Sequence, residues 1–190
     1  MITLEKNGDN FDVVIPSRSL REFTSVFSDD IETVEVFFAN NQILFRSEHI
    51  SFYTRLLEGN YPDTDRLIPT EFNTEATFNV ANLRFAMERA RLLSNATQNG
   101  TVKLEFKNGV VSSHVHSPEV GRVNEEIDTS AVSGEDLSIS FNPTYLIEAL
   151  KAIDSEQVVI RFISSVRPFT LVPEGNEQGF IQLITPVRTN

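Results

Sequence analysis

A helix-bearing segment that recurs at a fixed interval constrains this chain more than any other feature. Three stretches, FDVVIPSRSLREFTSVF, ATFNVANLRFAMERARLL and LSISFNPTYLIEALKAI, each run from an apolar strand into an amphipathic helix. Their matching leucines are Leu20, Leu83 and Leu146, 63 residues apart on both steps (83 − 20 and 146 − 83). Each helix carries a start signal and an apolar stripe: Ser17 ahead of Leu20, Phe23 and Phe27, Asn79 ahead of Leu83, Met87 and Ala90, and Asn142-Pro143 ahead of Leu146, Leu150 and Ile153. Stripes of this width need a sheet to pack on.

The sheets follow each helix. Val34, Val36 and Phe38, then Val102, Leu104 and Phe106, then Val158, Ile160 and Phe162 alternate with the period of a half-buried antiparallel strand. Asn108-Gly109 is a strong two-residue hairpin signal, because both residues tolerate the positive φ of such a turn, and Asn40-Asn41 serves the same role in the first copy. The repeating unit is therefore strand, helix and about three strands, an α+β pattern. Between the first and second copies, Pro62 and Pro69 bracket a polar stretch that suits neither a helix interior nor a central strand, which predicts a linker at 61–70. One copy (1–60) precedes it and two (71–190) follow, so the chain holds a half domain and a whole one if two copies make a domain.

Composition narrows the function by exclusion. At 190 residues and 40% hydrophobic the chain is long enough for a sizeable core, and the lack of any Cys rules out disulfides, thiolate metal sites and Cys nucleophiles. Met1 to Asp9 has no apolar signal core, and no apolar run approaches the roughly 20 residues that span a bilayer, so a cytoplasmic location is expected. The net charge of −11 argues against tight, free-standing binding to nucleic acid, which rests on Lys and Arg neutralising phosphates.

Catalytic signatures are absent: no Gly-rich phosphate loop, no G-x-S-x-G elbow, no His-Glu-x-x-His. His114 and His116 stand two apart on a strand and share a face, but catalytic zinc needs three protein ligands and no third lies nearby, so a solvated face is the better reading and no metal or cofactor is expected. The carboxylate pairs Asp29-Asp30 and Glu125-Glu126 read as turn or edge residues. Arg18 and Arg21 on the first helix, and Arg84, Arg89 and Arg91 on the second, fall outside the apolar stripes, whereas the third helix offers only Lys151. Phe85 and Leu92 form a second apolar patch, either extra core or a contact surface, and the chain finishes in an apolar segment, FIQLITPVRTN, where termini are usually polar.

The strings TRLLEGNYPDTDRLIP (54–69), RPFTLVP (167–173) and QLITPVR (182–188) closely resemble the bacterial beta clamp, a subunit of DNA polymerase III. The resemblance implies a DNA clamp fold of paired strand-helix-strand units, sheets outside and helices inside, with three domains per subunit and two subunits closing head to tail around duplex DNA. It also implies a non-catalytic processivity factor whose partners are the polymerase subunit, the clamp loader and repair proteins. Under it Arg18, Arg21, Arg84, Arg89 and Arg91 face the DNA through loose phosphate contacts. A peptide-binding groove is carried over to Pro62, Arg66 and Leu67, to Val166 and Pro168, and to Leu183, Ile184, Thr185, Pro186, Val187 and Arg188. Leu92, Leu93, Glu119, Glu125 and Glu126 fall at the subunit interface. By the same resemblance a first domain, half of a second and a Thr-x-x-His-Arg-Leu stretch that completes the groove lie outside this sequence. The chain alone is then expected to leave a sheet edge unpaired and to close no ordinary ring. Two other readings compete: an interaction module that never touches DNA, and an enzyme built on His114 and His116.

Overall fold

The structure, a computed structural model, describes residues 12–27, 30–59, 63–94, 100–117, 121–175 and 179–188. The chain forms two compact units, 1–63 and 64–190. In unit 1, helix α1 (Ser17–Val26) is followed by strands β1 (Glu35–Ala39), β2 (Gln42–Arg46) and β3 (Ser51–Arg55), an antiparallel meander ordered β1-β2-β3. Asn40 and Asn41 close the predicted hairpin, with Ala39 opposite Gln42.

Unit 2 opens with a 3₁₀ turn at Asp65–Leu67, inside the stretch expected to be a linker. Strand β4 (Thr74–Asn79) leads into α2 (Val80–Ser94) and then β5 (Val102–Lys107), β6 (Val110–Ser117) and β7 (Gly121–Ile127). A short strand that the sequence did not signal, β8 (Ala131–Gly134), precedes β9 (Leu137–Phe141), α3 (Pro143–Lys151), β10 (Gln157–Phe162), β11 (Phe169–Pro173) and β12 (Gln182–Ile184). The strands form two antiparallel sheets, β12-β11-β10-β4-β8 and β7-β6-β5-β9.

The two sheets show why the unit recurs in pairs. Each repeat keeps its own three strands together but gives its lead strand to the other: β4 adds to β10, and β9 adds to β5. Both helices then bury their stripes in one core, with Leu83, Ala86, Met87 and Ala90 from α2 and Leu146, Ile147, Ala149 and Leu150 from α3. Four aromatic rings join the sheets, Phe106 to Phe162 at 4.9 Å, Phe162 to Phe169 at 5.1 Å and Phe169 to Phe141 at 5.2 Å between centroids. A repeat alone could not make this core, because each sheet takes a strand from its neighbour.

Local signals hold well in unit 2. Asn142 accepts the Thr144 N–H at 2.9 Å with Pro143 at the first helical position, and Asn79 accepts the Asn82 N–H at 3.0 Å. Asn108 (φ 51°) and Gly109 (φ 77°) make the predicted hairpin turn. Replacing Asn142 with Ala is expected to lower unit 2 stability by about 1 kcal/mol, the ordinary value of a lost N-cap, measured by urea denaturation.

Unit 1 departs from expectation in three ways. Ser17 is not the cap: the helix begins at Ser17 behind Pro16, with no side-chain cap bond. The segment expected as the lead strand, residues 12–16, is not part of any sheet, and its Val14 carbonyl accepts from the Leu57 N–H at 2.8 Å. None of the ten α1 residues is buried, and β1, expected to be half-buried, is exposed along its length. What packs is an aromatic cluster, with Phe23 4.6 Å from both Phe27 and Phe45. The difference from unit 2 is that no strand exchange is seen among the described residues of unit 1, so its helix and leading strand lack the cover that the exchange supplies in unit 2.

Candidate functional site

The C-terminal segment is held by both sheets of unit 2, which explains its apolar character. Strand β12 pairs with β11, Ile184 opposite Phe169 and Leu183 opposite Thr170, and three residues later the Val187 N–H donates to the Ser140 carbonyl of β9 at 2.7 Å. Backbone pinned at both ends presents its side chains in fixed alternation. Ile184 points into the core at 4% exposure, while Leu183 and Pro186 are half-buried and Thr185, Val187 and Arg188 are exposed.

Between β12 and α3 lies a concavity of about 670 Å³ lined by Tyr145, Glu148, Ala149, Gln182, Leu183, Ile184 and Thr185. The helical side of this wall follows from spacing, since Tyr145, Glu148 and Ala149 are three and four residues apart and share a face. The Asn142 cap fixes the first turn of α3 and so sets the direction of Tyr145, whose side chain remains 61% exposed. Glu148 is tied to Lys151 at 2.9 Å, which leaves the rim close to neutral. An apolar floor with a large aromatic at one side suits a short apolar side chain or peptide anchor.

The structure brings together three of the residues expected in a groove, Leu183, Ile184 and Thr185, and adds Tyr145, Glu148, Ala149 and Gln182. Ile184 serves as floor, being part of the core. Arg66 and Leu67 lie in the 3₁₀ turn, Val166 is exposed and Pro168 half-buried ahead of β11, and none of these lines the concavity; Pro62 lies outside the described residues. Tyr145 carried a legible signal, a bulky aromatic off the apolar stripe of a firmly capped helix.

The arginines separate into distinct settings. Arg18 pairs with Glu22 at 3.0 Å on the open face of α1, where Arg21 is also exposed. On α2, Arg84 and Arg91 are seven residues apart and fall on one side, while Arg89 falls roughly 140° away at about 100° per residue. Arg84 sits 3.7 Å from Glu88 and 5.3 Å from the Phe85 ring, and the Nε atoms of Arg84 and Arg91 are buried without a hydrogen-bond partner. Arg89 is engaged with Glu125 of β7, its Nε donating at 3.3 Å and its Nη2 making a shorter contact. That side-chain hydrogen bond raises the Arg89 pKa above its ordinary value despite partial desolvation. One residue expected to face DNA and one expected at a subunit interface are thus a single ion pair.

Leu92 is 71% exposed, whereas Leu93 packs against the core, so the expected interface pair splits between surface and interior. Glu126 is exposed on β7, and Glu119 lies outside the described residues. His114 Nδ1 donates to Asn124 Oδ1 at 2.8 Å and its Nε2 is hydrogen-bonded with the Ser112 hydroxyl at 3.0 Å, and among the described residues no group of three His, Asp or Glu side chains gathers as a metal site would.

Comparison with known proteins gives the frame for this geometry. Residues 65–188 match the family described as DNA polymerase III beta subunit, C-terminal domain, and residues 1–63 match its central domain. The chain is 80% identical over 189 residues to the beta sliding clamp of Streptococcus pneumoniae serotype 4, covering 100% of this chain and 50% of that protein. It is 53% identical over 192 residues to the beta sliding clamp of Lactococcus lactis, again covering 50% of the relative. Among solved structures, the DNA polymerase III beta chain of S. pneumoniae superposes with a TM-score of 0.95 over 99% of this chain and 50% of that one, at 80% identity. The beta subunit of Streptococcus pyogenes follows with a TM-score of 0.92 at 70% identity, covering 99% of this chain and 51% of that one. The chain spans about half the length of these relatives. Two adjoining family matches that together run through nearly all of the sequence, on a fold shared with the solved beta subunits, place this chain in the DNA polymerase III beta subunit family.

Proposed function

We propose that this chain supplies the C-terminal part of a DNA polymerase processivity ring, which encircles duplex DNA without catalysing a reaction and recruits partner proteins through an apolar peptide groove. The observation that carries the reading is the 80% identity, along the whole chain, to proteins named beta sliding clamp. The acidic balance is compatible with it, because a ring holds DNA by topology and needs only a few basic groups on its inner face, for which Arg18, Arg21, Arg84, Arg89 and Arg91 are the proposed side chains. Among the described residues no helix is long and apolar enough to cross a membrane; the proposed location is the cytoplasm, where a replication clamp would meet its DNA. The DNA polymerase III catalytic subunit, the clamp loader and repair proteins are the proposed partners, with a homodimer as the ring.

The groove is built on Leu183, Ile184, Thr185, Tyr145 and Ala149, and extends to Val187 and Arg188 along the same segment. Amide NMR of the 190-residue chain titrated with an apolar clamp-binding peptide is expected to shift resonances of residues 182–188 and the first turn of α3. Leu183→Asp is expected to weaken that binding roughly 30-fold or more, the fold-change of a 2 kcal/mol anchor, while circular dichroism stays native. A folded chain showing no shifts at any peptide concentration means either that the completing stretch is indispensable or that the groove assignment is wrong, and the same titration of a full-length protein carrying this sequence decides, since no shifts there remove the groove assignment. Ring closure is tested with a full-length protein carrying this sequence: retention on closed circular DNA, lost when the DNA is linearised, is the expected result. Retention that survives linearisation would point to ordinary binding instead.

A further inference from the structure

The concavity of unit 2 lies against the five-stranded sheet, yet both of its walls are tied to one strand of the other sheet. Strand β12 is the edge of the order β12-β11-β10-β4-β8, and β9 is the edge of the order β7-β6-β5-β9. On its paired side β9 is held by β5, from Phe141 opposite Val102 to Leu137 opposite Phe106. Outside that ladder the Ser140 carbonyl accepts the Val187 N–H at 2.7 Å. Two residues further on, the Asn142 side chain accepts the Thr144 N–H at 2.9 Å and starts α3. Residues 140–142 therefore hold both sides at once. The cap directs the α3 wall of Tyr145, Glu148 and Ala149, and the bond to Val187 holds the far end of the segment that carries Leu183 and Thr185.

The second of these contacts has no neighbour to share its task. The β12 ladder ends with Ile184 opposite Phe169, and between that pair and Val187 stand Thr185 and Pro186, of which Pro186 has no N–H to give. The stretch from Thr185 to Val187 is anchored by Ile184 at one end and by the Ser140 carbonyl at the other. Ile184 is 4% exposed and part of the core, so the floor of the concavity stays in place with or without the second anchor. The rim does not. Freed from Ser140, residues 185–188 would regain backbone freedom that a bound peptide must remove again, at the expense of its affinity. The Val187 N–H is itself committed to β9 and is not offered to a ligand, and neither Ser140 nor Val187 lines the concavity.

We propose that the Val187–Ser140 bond is a latch that positions the groove, so that affinity for an apolar peptide depends on a backbone contact outside the cavity. This rests on the reading of the concavity as a peptide groove. The coupling is reciprocal: a peptide that needs the latched segment tightens the latch by the same factor by which the latch tightens the peptide.

The test removes the donor and nothing else. In a full-length protein carrying this sequence, 2-hydroxy-3-methylbutanoic acid in place of Val187 keeps the side chain and exchanges the N–H for an ester oxygen. Fluorescence anisotropy with a labelled apolar clamp-binding peptide is expected to show binding roughly 3- to 10-fold weaker than in the parent, the factor that one net hydrogen bond supplies. Ser130 provides the control, because its N–H donates to the Thr77 carbonyl at 2.8 Å beside β8, at the far edge of the same sheet. Glyceric acid in place of Ser130 is expected to lower the urea midpoint without changing peptide affinity. In the parent, the Val187 amide is expected to exchange slowly with solvent, and more slowly still with peptide bound. A Val187 ester that binds as tightly as the parent, or loses no more affinity than the Ser130 ester, overturns the latch and leaves the groove standing, as does a Val187 amide that exchanges like an unprotected one. A parent that binds no peptide overturns both.

Discussion

Replacing Phe162 with alanine is expected to lower the stability of unit 2 by about 3–5 kcal/mol, the range for removing a buried aromatic ring. Phe162 is fully buried in β10 and stands between Phe106 of the four-stranded sheet and Phe169 of its own, so its loss opens a cavity where the two sheets are joined. The surrounding groups have little freedom to collapse into that space, because Phe106, Phe141 and Phe169 are each tied into a β-ladder. Urea denaturation followed by far-ultraviolet circular dichroism measures the effect as a lower midpoint with an unchanged slope for the unit 2 transition. A loss below about 1 kcal/mol would mean that the ring chain is not the junction of the core.

Gly134→Ala is expected to cost a comparable amount, about 3 kcal/mol, for a different reason. Gly134 has φ +98°, which L side chains rarely adopt, and a Cβ there would stand 2.0 Å from the Asn73 carbonyl oxygen and 2.8 Å from the Thr74 Cα. Backbone atoms cannot swing aside as a side-chain tip can. Relief requires β8 to move away from β4, which breaks the pairing of Thr74 with Gly134 and disturbs the bonds from the Glu135 N–H to the Asn73 carbonyl and from the Thr74 hydroxyl to the Glu135 carbonyl. Hydrogen exchange at Ser133 to Glu135 should rise sharply in the variant. Unchanged protection there, with unchanged stability, would show that the edge strand tolerates the shift.

Both effects concern unit 2, and the contrast between the units explains how far the sequence could be read. Apolar stripes encoded α1, α2 and α3, caps encoded the starts of α2 and α3, and the Asn108-Gly109 signal encoded its turn, since these depend on residues within a few positions of one another. The matched leucines encoded the repeat. The three closing strings, 54–69, 167–173 and 182–188, carried the family resemblance that the comparisons bear out. Strand β8 was missed because four residues, AVSG, offer too little alternation to register.

What local pattern could not reach was cover. Leu20, Leu83 and Leu146 are the same residue at the same place in three repeats, and nothing near them in sequence separates the one that is exposed from the two that are not. Leu92 and Leu93 are adjacent leucines with opposite fates for a similar reason, since a 100° turn of the helix moves one out and the other in. The engagement of Arg89 with Glu125 and the meeting of Tyr145 with Leu183 join residues 36 and 38 positions apart (125 − 89 and 183 − 145). The sequence by itself determined the repeating unit, its helices and turns and the family to which it belongs, because these are set by short-range periodicity and by long identical strings. Only the tertiary structure decided which stripes are covered, which arginines are engaged and which side chains share a concavity, because each depends on contacts between elements tens of residues apart, some of them strands exchanged between repeats, that no local pattern encodes.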